Sequence, residues 1–239
     1  MLTGNALTRI VALETGAELR LRNDGAERVT LLVNGGTAKS VPGTWSSTSE
    51  YLAERLATRY AGIEFAELRY RLKSWNEFES CLNDAAASLS VLARDRPRPT
   101  LLIGFSMGGA VSAGVAADPC VVAVLGLAPW LPERLPLDGL SGKRFDVIHG
   151  AWDRWLPGVP GVSASSSRVG FERALSVGAT GTYRTIPRAL HGAAVRRRSG
   201  KLLPLPRAQA WVDEVGLALD RFVASTTAGA GPSEPVSEA

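Results

Sequence analysis

Short, continuous apolar runs alternate with helical segments along most of this 239-residue chain. The runs RVTLLVN, PTLLIGF and VVAVLGLA are too short for ordinary helices and are apolar on both faces. Segments such as SSTSEYLAERLATRY and SWNEFESCLNDAAASLSVLA lie between runs of this kind and carry apolar residues at helical spacing. Strands of this type, separated by helices, form a parallel sheet that is covered on both faces. The pattern therefore predicts one α/β domain with a mostly parallel central sheet.

The end of the chain differs in composition from the rest. The segment ASTTAGAGPSEPVSEA contains one large aliphatic side chain, Val236. A segment with so few apolar side chains cannot bury a core of its own. We therefore predict that residues 1–223 form the α/β domain and that residues 224–239 form a disordered tail.

Charge and apolar content exclude several classes of partner. The formal net charge is +4, but the basic residues are scattered apart from the run at 196–198, and no nucleic-acid-binding signature is present. The N-terminus lacks a signal-peptide pattern, and no apolar run approaches the length of a membrane span. We expect a cytoplasmic protein without a nucleic-acid or membrane partner. Cys81 and Cys120 make no metal-binding pattern and are expected to be buried thiols.

A candidate nucleophile follows one of the predicted strands. In open parallel sheets the chemistry collects at the carboxyl ends of the strands. The segment GFSMG joins the strand PTLLIGF to a helix of small residues, and it matches the G-x-S-x-G pattern of a nucleophile elbow. Ser106 is therefore the candidate nucleophile, and its hydroxyl needs a general base.

The chain has two histidines from which that base can come. In a serine hydrolase built on such a sheet, the order along the chain is Ser, then the acid, then His. His191 follows the last predicted strand and fits this order, whereas His149 ends an earlier strand. Asp153 is the first carboxylate after that earlier strand and is the predicted acid. Glu133 and Asp138 remain as alternative acids.

The segment LLVNGGTAKS resembles a phosphate-binding loop but fails its spacing. A Walker loop needs glycine directly before the Lys-Ser pair and a second glycine five residues earlier. Ala38 and Val33 occupy these two positions. A nucleotide-binding domain is therefore disfavoured.

The same segment lies after the third strand, where a hydrolase of this kind takes a donor for its oxyanion hole. We expect the N–H groups of Gly36 and Met107 to form that hole. Thr37 is an alternative donor and a candidate to contact the substrate.

Taken together, LLVNGG, LLIGFSMGGAV, VIHGAWDRWLP and IPRALHG resemble the oxyanion loop, nucleophile elbow, acid loop and histidine loop of the α/β-hydrolase superfamily. The resemblance covers nearly the whole chain before the tail. Two departures stand out: Asn34 precedes Gly35 where many members have His-Gly, and ELRYRLKSW keeps an arginine, Arg69, but lacks the usual glycines. Arg71 and Lys73 are expected at the rim of the site, either attracting an acidic substrate or solvated.

The resemblance implies a small serine hydrolase without a cap domain, because PWLPERLPLDGLSGKR is too short to form one. Trp130, Trp152 and Trp155 follow strands at the predicted site, and Trp130 and Trp152 are the candidates to line an apolar substrate pocket. Trp45 is a further tryptophan that either touches the site or only packs on the first helix.

The predicted activity is hydrolysis of a small-molecule carboxylic ester or thioester through an acyl-enzyme, with no metal or cofactor. A lactonase, peptidase or acyltransferase would use the same residues. The alternative from another class is a non-catalytic small-molecule-binding protein of the same fold. The sequence leaves the oligomeric state open.

Overall fold

The computed structural model describes residues 8–153 and 161–228. The described strands are β1 (Arg9–Ala12), β2 (Glu18–Arg22), β3 (Arg28–Val33), β4 (Val41–Pro42), β5 (Ile63–Arg69), β6 (Leu72–Lys73), β7 (Thr100–Phe105), β8 (Val121–Leu127), β9 (Arg144–Gly150), β10 (Tyr183–Ile186), β11 (Ala194–Arg196) and β12 (Leu202–Pro204). The described α-helices are α1 (Ser47–Leu56), α2 (Phe78–Leu92), α3 (Met107–Gly114), α4 (Ala164–Ser176) and α5 (Ala208–Ala228).

One mixed sheet organises the fold. Its strand order is β1-β2-β5-β3-β7-β8-β9-β10. The six strands from β5 to β10 in this order run parallel, and β1 and β2 form an antiparallel edge. The prediction of a mostly parallel central sheet is confirmed. Two antiparallel ribbons, β4 with β6 and β11 with β12, lie outside this sheet.

The two faces of the sheet bury two separate apolar cores. Leu31 and Leu32 are neighbours in β3 and pack into different cores, because side chains alternate across a strand. Helices α2, α3 and α4 cover the face that contains Leu31, and α1 and α5 cover the other. The fully buried Trp211 of α5 is the largest side chain of the second core. Both cores leave the carboxyl ends of the parallel strands at one rim.

The connection between β8 and β9 contains no cap domain. Over residues 128–143, all of which the structure describes, the chain forms a single 3-10 turn at Asp138–Leu140 and no α-helix. This agrees with the prediction of a capless fold.

Helix α5 extends past residue 223, where the domain was predicted to end. Arg28 Nε donates to Thr226 Oγ1 at 2.6 Å, and Arg28 Nη2 donates to Thr227 Oγ1 at 2.9 Å. These contacts hold residues 224–228 as helix, although their composition is that of the tail. Residues 229–239 lie outside the described part of the chain. Within that part, α5 and the shorter helices all fall short of the combination of length and apolar character that a membrane span needs.

A buried ion network joins β2 and β5 to α1. The carboxylate of Glu67 accepts from Arg20 Nε at 3.0 Å and from Arg20 Nη2 at 2.6 Å, and it also pairs with Arg22. Arg20 donates in addition to Glu50 of α1 at 2.5 Å. Glu67 is 1% exposed, and its buried negative charge is compensated by the two arginines that surround it.

We predict that Glu67→Ala lowers the free energy of unfolding by about 3 kcal/mol, because removing the carboxylate leaves the buried arginines without their counter-ion. Glu54→Ala is the matched control, since Glu54 is half exposed and lies 4.0 Å from Arg22; its effect should stay below about 0.5 kcal/mol. Urea denaturation of the three proteins measures both values. Equal effects of the two substitutions would show that the network does not stabilise the fold.

Candidate active site

Ser106 occupies a strained turn between β7 and α3. Its backbone angles are φ 55° and ψ −119°, in a region that non-glycine residues rarely adopt. The turn is fixed on both sides, because Ser106 N donates to Leu127 O and Ser106 O accepts from Trp130 N, each at 2.9 Å. The main chain therefore holds the hydroxyl-bearing residue at the carboxyl edge of the sheet.

The turn packs directly on the end of β3. A Cβ atom at Gly108 would overlap the carbonyl oxygens of Val33 and Asn34, and one at Gly104 would overlap the carbonyl oxygen of Gly108. Glycine is required at these two positions because backbone meets backbone there. This close approach brings Ser106 beside the loop that follows β3.

His191 and Asp153 form a hydrogen-bonded pair at the ends of two neighbouring strands, β9 and β10. His191 Nδ1 lies 2.6 Å from Asp153 Oδ2, and the Asp153 side chain is completely buried. Asp153 follows β9, His191 follows β10, and the ring of Phe105 packs against the imidazole with centroids 4.9 Å apart. An Nδ1–H donated to the carboxylate leaves the Nε2 lone pair free to accept a proton.

Ser106 and His191 open into one cavity of about 540 Å³. Its described lining comes from the loop after β3, the start of α1, the β4–β6 ribbon and β11. The lining residues are Asn34, Gly35, Gly36, Thr37, Ala38, Thr44, Trp45, Ser46, Ser47, Thr48, Lys73, Trp75, Phe105, Ser106, His191, Ala194, Val195 and Arg196. The cavity is large enough for a small-molecule ligand.

Asn34 shapes the loop after β3. Its Nδ2 donates to Thr44 O at 2.9 Å, and its Oδ1 accepts from Gly35 N at 2.7 Å. The N–H of Gly35 is therefore occupied. The N–H groups of Gly36 and Met107 have no acceptor among the residues that the structure describes. Met107 N also lies at the N-terminus of α3, where the helix dipole favours negative charge.

His149 lies behind the acid, away from the cavity. It is fully buried; its Nδ1 is 3.1 Å from Gly150 O, and its Nε2 is 3.6 Å from Asp153 Oδ2. Burial lowers the pKa of His149, so the ring stays neutral near pH 7. The alternative acids Glu133 and Asp138 are exposed in the connection after β8. The carboxylate that bonds to His191 is that of Asp153.

The structure places the predicted pocket residues differently from one another. Thr37 lines the cavity, and its Oγ1 lies 2.8 Å from Lys39 O and 3.0 Å from Lys73 O. Trp130 packs edge-on against Phe78, with ring centroids 6.3 Å apart, and Trp152 is 49% exposed.

Neither Trp130 nor Trp152 is among the described lining residues, and Trp155 lies outside the described residues. Trp45 and Trp75 line the cavity instead. Trp75 was not predicted from the sequence, where its only signal was its position shortly after the carboxyl end of β5.

Comparisons with known proteins give the same fold. No protein-family model matches the chain. It is 29% identical over 152 residues to protein phosphatase methylesterase 1 of Bos taurus and 26% identical to that of Homo sapiens. Each alignment covers 62% of this chain and 37% of the relative, so the chain spans little more than a third of the length of these curated relatives.

Solved structures match over a larger share of the chain. An α/β hydrolase enzyme from a Medee basin deep-sea metagenome library is 20% identical, with a TM-score of 0.67 over 92% of this chain and 99% of that one. A carboxylesterase from Lactobacillus plantarum is 16% identical, with a TM-score of 0.63 over 92% and 97%. A lid-less α/β serine hydrolase from Xanthomonas campestris is 18% identical, with a TM-score of 0.55 over 80% and 88%. The chain has the α/β-hydrolase fold, and the resemblance found in the sequence is confirmed at that level.

We predict that Gly108→Ala lowers the free energy of unfolding by about 2 kcal/mol or more, because the new methyl group meets the backbone of β3. Helix propensity alone predicts the opposite sign, since alanine favours a helix over glycine. The measurement is urea denaturation beside Gly62→Ala, where an added Cβ has no neighbour within 4 Å. A Gly108→Ala protein as stable as the Gly62→Ala protein would contradict the packing described for the turn.

Proposed function

We propose that this chain is a serine hydrolase that cleaves carboxylic esters or thioesters through an acyl-enzyme. One observation carries the proposal: Ser106, on its strained turn, shares a cavity with His191, whose other ring nitrogen is hydrogen bonded to the buried Asp153. A serine hydroxyl becomes a useful nucleophile when a base is at hand and that base is oriented by a third group.

In the proposed acylation step, Ser106 Oγ attacks the substrate carbonyl carbon and His191 Nε2 takes the hydroxyl proton. Asp153 holds the Nδ1–H of His191 and stabilises the imidazolium that forms. The carbonyl oxygen becomes an oxyanion, for which the unoccupied N–H groups of Gly36 and Met107 are the donors. His191 then gives its proton to the leaving alcohol or thiol, and the acyl group stays on Ser106.

Deacylation uses the same groups in reverse. His191 Nε2 takes a proton from water, and the hydroxide attacks the acyl carbon. When the tetrahedral intermediate collapses, His191 returns the proton to Ser106 Oγ, and the carboxylic acid leaves. No step requires a metal or an organic cofactor.

The comparisons support this proposal at the level of ester hydrolysis. The similar proteins include a methylesterase, a carboxylesterase and a serine hydrolase. The short connection after β8 leaves the cavity without a cap from that part of the chain. A cytoplasmic location and a small-molecule substrate stay predictions from the sequence.

We predict that the protein hydrolyses members of a p-nitrophenyl ester series from acetate to long acyl chains, and that Ser106→Ala lowers kcat by about 10³-fold or more. Release of p-nitrophenol, followed by absorbance, gives kcat and KM for both proteins. The acyl chain length with the highest kcat/KM indicates the length of the acyl pocket.

The control is a thermal melt of Ser106→Ala, which must match that of the wild type for the loss to be chemical. Tight binding of esters without turnover above the Ser106→Ala rate would favour the alternative, a non-catalytic binding protein of this fold.

A further inference from the structure

The cavity that contains Ser106 and His191 has cationic side chains in its lining. Its described lining includes Lys73 of β6 and Arg196 of β11, and it includes no aspartate or glutamate. A concave site lined by charge of one sign concentrates ligands of the opposite sign. Ion pairs within the protein reduce the positive charge that such a site offers to a ligand.

The arginines near the cavity all make ion pairs. Arg196 Nη2 pairs with Glu50 at 2.9 Å, and the same carboxylate oxygen pairs with Arg20. Arg69, whose guanidinium lies over the ring of Trp45, pairs with Glu18 at 2.5 Å. Each of these arginines therefore has a carboxylate partner, and Arg196 shares its partner with Arg20.

Lys73 differs from these arginines. Its Nζ donates one hydrogen bond, to Thr44 Oγ1 at 2.8 Å, and it makes no ion pair with any residue of 8–153 or 161–228. An ammonium group has three donors, so two are left without an acceptor in the described part of the chain. The side chain is half-buried, and burial lowers the pKa of its ammonium group. A partly desolvated cation without a counter-ion favours an anionic ligand.

The position of Lys73 is fixed relative to the predicted oxyanion hole. Its strand, β6, pairs with β4, and Val41 lies opposite Lys73. Thr37 Oγ1 lies 3.0 Å from Lys73 O, so β6 is tied to the loop that contains Gly36. The ammonium group is therefore held at the wall of the same cavity and does not sit on a free-standing loop.

We propose that Lys73 binds an anionic group of the substrate, so that the preferred substrates are esters or thioesters that carry a carboxylate or another anion in addition to the scissile bond. In naming a substrate class, this inference rests on the hydrolase function proposed above. Lys73 contributes a charge-assisted hydrogen bond to the part of the substrate that does not react. A neutral substrate of the same shape lacks that bond and binds less tightly.

The test uses two matched pairs of esters that differ only in a terminal charge. Mono-p-nitrophenyl adipate and p-nitrophenyl hexanoate place the difference on the acyl side, and 4-acetoxybenzoate and 4-methylphenyl acetate place it on the alcohol side. Binding is measured by calorimetry in Ser106→Ala, where the esters are not turned over, with Lys73 intact or as Lys73→Met. Turnover of the same esters is measured with Ser106 intact.

We expect the anionic member of one pair to bind about 10- to 100-fold more tightly than its neutral partner, the range for a hydrogen bond to a charged group. Lys73→Met should abolish that preference and leave the affinity of the neutral member within about twofold. Lys73→Arg should retain most of it. Arg71→Gln is the control, because Arg71 is exposed, bonds to Ser80 and is not among the described lining residues; the preference should survive it.

The proposal is overturned if neither pair shows a preference for the anion, if the preference survives Lys73→Met, or if Arg71→Gln removes it equally. Failure of the hydrolase function gives a different result, namely no Ser106-dependent turnover of any of the four esters. The binding measurements separate the two cases because they do not require turnover.

Discussion

The site depends on the close contact between the Ser106 turn and the end of β3. Backbone meets backbone there, because Gly104 and Gly108 carry no side chain that would keep the two segments apart. The contact sets the strained conformation of Ser106 beside the loop of Asn34 and Gly36. It also starts α3 at Met107, whose side chain lies against Gly36 of that loop. The same backbone contact therefore belongs to the packing of the domain and positions Ser106 in the candidate site.

A second set of interactions shapes the cavity around that point. Asn34 bonds to Thr44 O, Thr44 Oγ1 accepts from Lys73, and Thr37 lies within hydrogen-bond distance of Lys73 O. The loop after β3 and the small β4–β6 ribbon therefore form one wall. The ion pairs of Glu50 with Arg20 and Arg196 fix the opposite side, because they connect α1 to β2 and β11. Arg196 pairs with Glu50, so Lys73 is the one cation in the described cavity lining that makes no ion pair with the described residues.

The sequence predicted the parallel sheet and the sites of its strands and helices well, because buried strands and amphipathic helices have distinct periods. It also predicted that Asp153 and His191 meet, since both follow neighbouring strands. It placed the first helix within SSTSEYLAERLATRY, and in the structure Ser46 is the N-cap of α1, its side chain accepting from Ser49 N.

Long-range packing explains what the sequence did not reveal. The β4–β6 and β11–β12 ribbons are too short to leave a pattern. Trp130 was predicted to line the substrate pocket, but it packs on Phe78. Trp75 is among the described residues that line the cavity, and its place there depends on the fold. Arg71 and Lys73 looked equivalent in the sequence, yet only Lys73 lines the cavity. The backbone N–H of Arg71 is bonded to the Asp84 carboxylate, and its side chain extends toward Gly16 and Ser80.

The most direct test of the account is the reactivity of Ser106 toward a fluorophosphonate, which phosphonylates serine hydroxyls that a neighbouring base activates. Mass spectrometry of the intact and digested protein should find one adduct, on the peptide that contains Ser106. No adduct should form on Ser106 in His191→Ala or in protein that is denatured before the reagent is added. An unmodified Ser106, or labelling that persists without His191, would contradict the claim that this serine is an activated nucleophile.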